Sequence, residues 1–430
     1  MSGSSTSQGS PFRSNFTTGD GKSGGAACQR DPRRLQSPAV RGRTWAEIDL
    51  AALLRNLAWI RARAGRRRVI GVVKANAYGH GALPVARALV EAGVEALAVA
   101  TLDEARELRA AGQAGEILLL SNSGLPVAAD AIVSLRLAPF LWSLEAIDAI
   151  EAAAARAGVR HPVHLKLDTG MSRLGVPLAA LDEALARLSR ASHLELSGIA
   201  SHLADADDAS AATPTLQREQ FGAAVARVRE GGFEPDWVHL DNSAGIVHGP
   251  SEGTNAVRPG LALYGADPTL ERSCSLEPVM TLLTRVIQAK RVPAGTRVGY
   301  GGEHVASRET QILTLPIGYA DGLPRAAAGH FSVGVAGDRL PLAGRVSMDL
   351  ASVDAGPDGD VKVGQEVLVF GRKEGLTIEV EQLADAVGTI AYEILVGIGA
   401  RVPRHLRDEE RWASRGSEAG RTTRSPSAGG

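Results

Sequence analysis

From residue 68 to about residue 265, short apolar runs alternate with helical patterns, and this alternation confines that part of the chain to a parallel sheet covered by crossover helices. RVIGVVKA (68–75), ALAVA (96–100), EILLLS (116–121), VHLKLD (163–168), LELSGIASH (194–202) and WVHLDNS (237–243) read as strands. AVRPGLALYG (256–265) reads as a closing strand and turn. The intervening segments 83–93, 102–112, 143–158, 180–191 and 217–232 carry apolar residues at helical spacing, and several end in glycine. Roughly eight such units suit a closed (β/α)8 barrel of the TIM type. A doubly wound open sheet has the same periodicity, so the pattern alone leaves closure undecided. Beyond about residue 276 the texture changes. MTLLTRVIQAKRV, TQILTLPIG, FSVGVAG, RLPLAGRVSMDLASVDA and GQEVLVFG are short strands punctuated by Gly, Pro and Asp, followed by one helix at 380–388.

A barrel takes about 250 residues, so a chain of 430 leaves room for a second domain. The expected division is an α/β barrel over 43–275 and a C-terminal, mainly-β domain over 276–408. Residues 1–42 are rich in Ser, Gly, Thr and Arg, and read as a disordered leader; 409–430 read as a disordered tail. With 47 basic and 48 acidic residues, the balance gives no support for a nucleic-acid or membrane-surface partner. No run approaches the length of a membrane span, and the leader lacks the apolar core of a secretory signal, so the expected location is the cytoplasm. Two cysteines, Cys28 and Cys274, cannot build a disulfide framework or a cysteine zinc site, and no metal is expected.

Reactive residues of a parallel barrel sit at the carboxyl ends of its strands. Lys74 ends the first run and is followed by ANAYGHG. Lys166 lies in the 163–168 strand, before DTGMSRLG with Arg173. Ser201 and His202 end the next strand, then Asn242 and Ser243, then Arg258, Pro259 and Gly260. Each has an ordinary reading. Lys74 could be a solvated loop lysine, Arg173 and Arg258 surface ion-pair partners, His202 a core histidine, Asn242 a helix cap and Tyr300 a turn aromatic. Their recurrence at one edge, more than any single residue, points to a site. There is no Walker A pattern, HExxH or Cys-x-x-Cys, and GYGG at 299–302 follows no strand–helix unit, which makes it a poor dinucleotide fingerprint.

VVKANAYGHG (72–81) resembles the pyridoxal phosphate lysine motif of alanine racemases. The resemblance continues through KLDTGMSRLG (166–175), SHLADAD (201–207), DNSA (241–244), VRPGLALYG (257–265), VGYGG (298–302), LPIGYADGLPR (315–325), GRVSMD (344–349) and TIAYEIL…RVPR (389–404), in that family's order over about residues 43–407. It implies an N-terminal barrel, a C-terminal β domain joined by the first strand TWAEIDL (44–50), and a head-to-tail homodimer with shared active sites. It implies racemisation of alanine with pyridoxal 5'-phosphate, supplying D-alanine for peptidoglycan. Lys74 would form the internal Schiff base and act as one base, because an amine condenses reversibly with an aldehyde. Tyr300, from the partner subunit, would be the base on the opposite face, helped by His202 and Arg258, since a free tyrosine has a pKa of about 10. Arg258 would face the pyridine nitrogen; a donor-only guanidinium there disfavours a protonated ring. Ser243, Gly260 and Leu261 would hold the phosphate, with Asn242 beside them and Tyr78 and Tyr392 closing around it. Arg173 and Met348 would meet the substrate carboxylate, Tyr319 would line the access path, and Lys166 would carry a carbamate. Two departures from the family pattern, Leu203 and Glu303, bear on substrate range. A racemase that also takes serine stays open. Related decarboxylases carry a glutamate in place of Arg258 and a catalytic cysteine from the β domain, whereas this chain has no cysteine after Cys274. Non-catalytic pyridoxal phosphate-binding proteins of this type lack the β domain.

Overall fold

The computed structural model describes residues 43–121 and 124–407; the expected leader and tail, with Cys28, lie outside the described residues. Its first strand, β1 (Thr44–Ile48), is followed by eight parallel strands. These are β2 (Arg68–Val72), β3 (Ala96–Val99), β4 (Glu116–Leu119), β5 (Ala138–Leu141), β6 (His161–Asp168), β7 (Leu194–Ala200), β8 (Trp237–His239) and β9 (Ala256–Val257). Each pairs with the next, and β9 returns to β2 through Val257↔Val69, so the sheet closes. The closed barrel, rather than the open sheet, is the fold. Every residue of β3 and of β5 is buried, as expected of parallel strands covered on both faces.

Several strands stop earlier than their apolar runs. β2 ends at Val72 rather than residue 75, β7 at Ala200 rather than 202, and β8 at His239 rather than 243. The ladder ends where strands diverge at the barrel rim, although the hydrophobic pattern runs on. Lys74, His202 and Asn242 therefore stand just past the strand ends, and Ser243 opens a short helix, Ser243–Val247. The closing segment is a strand only over Ala256–Val257 and then turns into a 3-10 helix at Leu261–Tyr264.

β1 belongs to a second sheet. It runs antiparallel to β10 (Met280–Arg285) and parallel to β12 (Arg404–Leu406), and β11 (Glu366–Lys373) lies on the far side of β10. The resemblance-based expectation for the first strand holds. Helix Leu50–Ala64 carries the chain from this sheet back to the barrel. Asp49 caps it, accepting from Ala52 N at 2.8 Å, and Leu53, Leu57 and Ile60 face the core. One continuous cluster of buried side chains, from Trp45 to Val402, spans both parts. Helix Val380–Val387 lies where expected, and a second short helix, Ala391–Val396, follows it. Among the described residues no helix is long and apolar enough to cross a membrane.

Candidate active site

Lys74 sits two residues past the end of β2, and the chain beyond it takes an unusual path. Ala75, Asn76, Ala77 and Tyr78 have φ of 52°, 54°, 53° and 52°, a left-handed turn of four L-residues. Each such residue costs roughly 1–2 kcal/mol, so the turn persists only because its surroundings impose it. Ala77 N donates to Val73 O and Gly79 N to Ala75 O, each at 2.9 Å. The Asn76 side chain accepts from Ala82 N at 2.7 Å. Buried His80 donates from Nδ1 to the carbonyls of Ala77 (3.0 Å) and Tyr78 (2.9 Å). Two acceptors at one ring nitrogen place the proton there, and burial pulls the imidazole pKa down to about 4, so it stays neutral. Gly79 has φ 81°, and a Cβ on it would collide with the Leu395 carbonyl. This close approach brings helix Ala391–Val396 against the turn. Tyr392 then lies 5.9 Å from Tyr78, which stacks on Tyr264 at 4.8 Å between ring centres.

The electrostatics lower both lysine amines in a cationic setting. Burial and the neighbouring Arg173 and Arg258 hold the Lys74 amine below its usual value, against the opposing charge of Glu104. Lys166 is buried and donates to Leu167 O at 2.8 Å; desolvation, with Arg258 behind it, brings its amine down to about 7. Arg258 is buried and desolvation lowers it to about 10, which leaves it cationic at neutral pH. It donates to Ser201 O (2.6 Å), Leu240 O (2.9 Å), His239 Nδ1 (2.7 Å) and His202 Nδ1 (3.1 Å). A guanidinium can only donate, so both imidazoles present a bare Nδ1 to it. Burial and the Arg258 charge push both far below the usual histidine range, in agreement.

His239 must then carry its proton on Nε2, which points to His164 Nδ1 at 2.9 Å. His164 Nε2 in turn faces the Glu116 carboxylate at 3.6 Å. A chain of fixed polarity thus runs through the barrel interior beneath Arg258. It depends on Gly198, where a Cβ would overlap the His164 ring. Gly198→Ala is expected to cost about 2–3 kcal/mol by overpacking. An unchanged midpoint in urea unfolding would exclude that role.

On the other side of the rim, Ser243 Oγ accepts from Gly260 N at 2.9 Å and Ala262 N at 3.2 Å. Gly260 has no room for a Cβ, which would collide with the Tyr78 hydroxyl. The structure therefore gathers Tyr78, Ser243, Gly260 and Leu261 with Lys74, Lys166, His202, Arg258 and Tyr392. Asn242 takes the ordinary role weighed for it: its side chain caps helix Ser243–Val247, accepting from Gly245 N at 3.0 Å. Arg173 is exposed on the loop after β6.

Three expected residues stand apart, on the β domain, and are open to solvent in the single chain: Tyr300 at 71%, Met348 at 53% and Tyr319 at 45%. Tyr300 begins a 3-10 turn between the paired segments 297–298 and 304–305. Glu303 in this hairpin pairs with Arg345. Tyr319 and Met348 lie on abutting loops, tied by Tyr319 N to Ser347 O and Ala320 N to Met348 O, both 3.1 Å. Buried Asp321 anchors that region, accepting from Gly318 N (2.9 Å), Arg43 (3.2 Å) and Arg401 (2.7 Å). Of the residues supporting the Lys74 turn and Arg258, the sequence pattern marks neither Glu104, His80, Tyr264, His164 nor His239. Glu104 is one of five charged residues in its helix, and the others are histidines or an aromatic residue within mostly apolar runs or turns.

Comparison with known proteins bears on the chain as a whole. The model of the alanine racemase N-terminal domain matches residues 48–268, and that of the alanine racemase C-terminal domain matches 279–406. An alanine racemase of Desulforamulus reducens is 41% identical over 368 residues, which are 84% of this chain and 98% of that protein. The crystal structure of alanine racemase from Streptomyces lavendulae, a D-cycloserine producer, superposes with a TM-score of 0.81 at 39% identity, covering 85% of this chain and 97% of that one. The alanine racemase of Bartonella henselae, solved with covalently bound pyridoxal phosphate, gives a TM-score of 0.77 at 32% identity, with 85% and 100% covered. With both domain models matched in order and relatives of this identity aligned over nearly their whole length, the chain belongs to the alanine racemase family.

Proposed function

We propose that the protein interconverts L-alanine and D-alanine, using pyridoxal 5'-phosphate held on Lys74. The observation that carries this reading is the placement of Lys74 at the barrel rim, its amine lowered by burial and by Arg173 and Arg258, with Ser243, Gly260 and Tyr78 gathered at the same rim. The residues fit the cofactor. An unprotonated amine condenses with an aldehyde, the cations suit its anionic groups, and Gly260, bare of a side chain, lets the Tyr78 hydroxyl come close to the backbone. Ser243, Gly260 and Leu261 would hold the phosphate, Tyr78 and Tyr392 would close around it, and Arg258 would meet the ring nitrogen. Once bound, the cofactor withdraws electrons from the substrate α-carbon and makes its hydrogen acidic.

The protein does the rest. Lys74, its amine lowered by burial and by Arg173 and Arg258, would take or return a proton at one face of the α-carbon. Tyr300 of a second copy serves the other face, and Met348 and Arg173 fix the substrate carboxylate. The exposure of Tyr300, Tyr319 and Met348 in one chain supports a head-to-tail homodimer in which these residues complete the partner's site. In this reading residues 43–275 bind the cofactor and 276–408 supply the partner-facing residues.

The test supplies L-alanine and the cofactor and follows D-alanine by chiral chromatography, with L-serine in parallel. D-alanine formation supports the reading, and its absence from a cofactor-loaded protein overturns it.

Lys166 is the proposed carbamate site. An amine with a pKa near 7 is mostly unprotonated at pH 8 and free to add carbon dioxide. The resulting anion would lie beside Arg173 and Arg258. As pH falls through about 7 the amine protonates and the carbamate is lost. With 13C-bicarbonate, a carbamate resonance is expected at pH 8, fading below 7 and missing from Lys166→Arg; a spectrum without it at pH 8 would reject the modification.

A further inference from the structure

We propose that Glu104 is the positioning residue for Lys74, tethering the peptide that follows this lysine to the next strand–helix unit of the barrel. Glu104 lies in the first turn of helix Leu102–Ala110 and completes its capping box, in which Thr101 Oγ1 accepts from Glu104 N at 3.3 Å. A capping-box glutamate ordinarily reaches back only to the N–H of the cap residue. This one does more. Oε2 accepts from Thr101 N at 3.1 Å and Ala100 N at 2.8 Å, while Oε1 accepts from Ala75 N at 2.7 Å, 29 residues earlier in the chain.

Ala75 is the residue after Lys74 and the first of the four left-handed residues. The leading N–H groups of any such turn have no partner within it. The Glu104 carboxylate fills that need at the point where strain begins, and a carboxylate–amide bond is among the stronger ones. It also sets an anion near Lys74, opposing the two arginines that depress the amine. Thus one side chain sets both the direction in which the lysine leaves β2 and part of the field around it. The proposal rests on the reading of Lys74 as the cofactor lysine.

The experiment uses the full-length, cofactor-loaded protein and three variants: Glu104→Leu, Glu104→Gln and Thr101→Ala. Thr101→Ala weakens the cap of the same helix while leaving the reach to Ala75, so it measures what a merely structural role would do. Amide exchange of the 74–81 segment and cofactor retention on dialysis are read beside the melting temperature. In Glu104→Leu, exchange in 74–81 is expected to rise about tenfold, as for loss of one charged hydrogen bond, with faster cofactor loss. Glu104→Gln keeps one acceptor oxygen and falls between. Thr101→Ala stays within about twofold of the unsubstituted protein in both readouts, even where its melting temperature drops. If Thr101→Ala loosens 74–81 as much as Glu104→Leu, or if Glu104→Leu leaves the segment protected, the tether is refuted. Should Glu104→Leu fail to fold, Glu104→Gln against Thr101→Ala decides by the same criterion. Exchange requires no turnover, so failure of the unsubstituted protein to racemise alanine would sink the functional reading and leave the tether separately tested.

Discussion

Lys74→Ala is expected to abolish racemisation from either enantiomer, lowering turnover by on the order of 10^4-fold or more, because in the proposed reading one nitrogen would both anchor the cofactor and exchange the α-proton. The fold should survive. Lys74 is only partly buried and has no positive φ, so alanine meets no backbone conflict there, and its amine is absent from the hydrogen bonds that hold the left-handed turn. Chiral chromatography with each enantiomer, beside a melting curve within a few degrees of the unsubstituted protein, checks both halves. Appreciable turnover by a folded Lys74→Ala protein would remove the central claim. Arginine at 74 gives a sharper contrast, since it keeps a long basic side chain in place but cannot form the covalent link.

The second large effect is at Tyr300. Losing the phenolic oxygen in Tyr300→Phe should lower turnover by about 10²–10³-fold, the range of a positioned acid or base. Enantiomers have equal free energy, so kcat/KM must fall equally for both. The asymmetry appears instead in solvent isotope exchange: α-hydrogen washout from one enantiomer is expected to collapse while that from the other persists. Equal losses would withdraw the base assignment.

The shared site can be tested with the same protein. In a head-to-tail dimer, Lys74→Ala and Tyr300→Phe chains pair so that one site carries both defects and the other carries neither. Refolding the two inactive variants together at equal amounts should therefore restore about a quarter of unsubstituted activity, half the dimers being mixed and each having one sound site. No recovery, from a mixture shown to exchange subunits, would place both residues in one chain's site.

The barrel was legible because covered parallel strands read as apolar runs, ALAV and the ILL of β4 among them. β5 escaped notice: APFL is four residues with a proline, and the helix before it, Ala129–Ser134, is too short to show a period. Helix Leu50–Ala64 was hidden behind the strand that precedes it. At the site, Lys74, His202, Ser243 and Arg258 stood out because each follows an apolar run at the same edge. Glu104 and His164 did not, because their significance lies in partners 29 and 75 residues away, a separation no local pattern encodes. Tyr300, Tyr319 and Met348 were legible only through likeness to a family. Nothing in their local sequence or in one chain's packing joins them to the barrel rim.

The placement of β1 bears on how the molecule is made. It leaves the ribosome first among the described strands, yet its antiparallel neighbour β10 is about 240 residues away, as Thr44 and Thr284 show, and Glu47 meets Arg407 across 360. While the barrel is being synthesised, β1 is an edge with both sides unpaired, the kind of surface that aggregates. The sheet that β1 joins cannot close until residues 404–406 have been made. Contacts so distant in sequence slow folding, so translation rate and chaperone supply, more than the stability of the finished fold, should govern how much active protein a cell obtains.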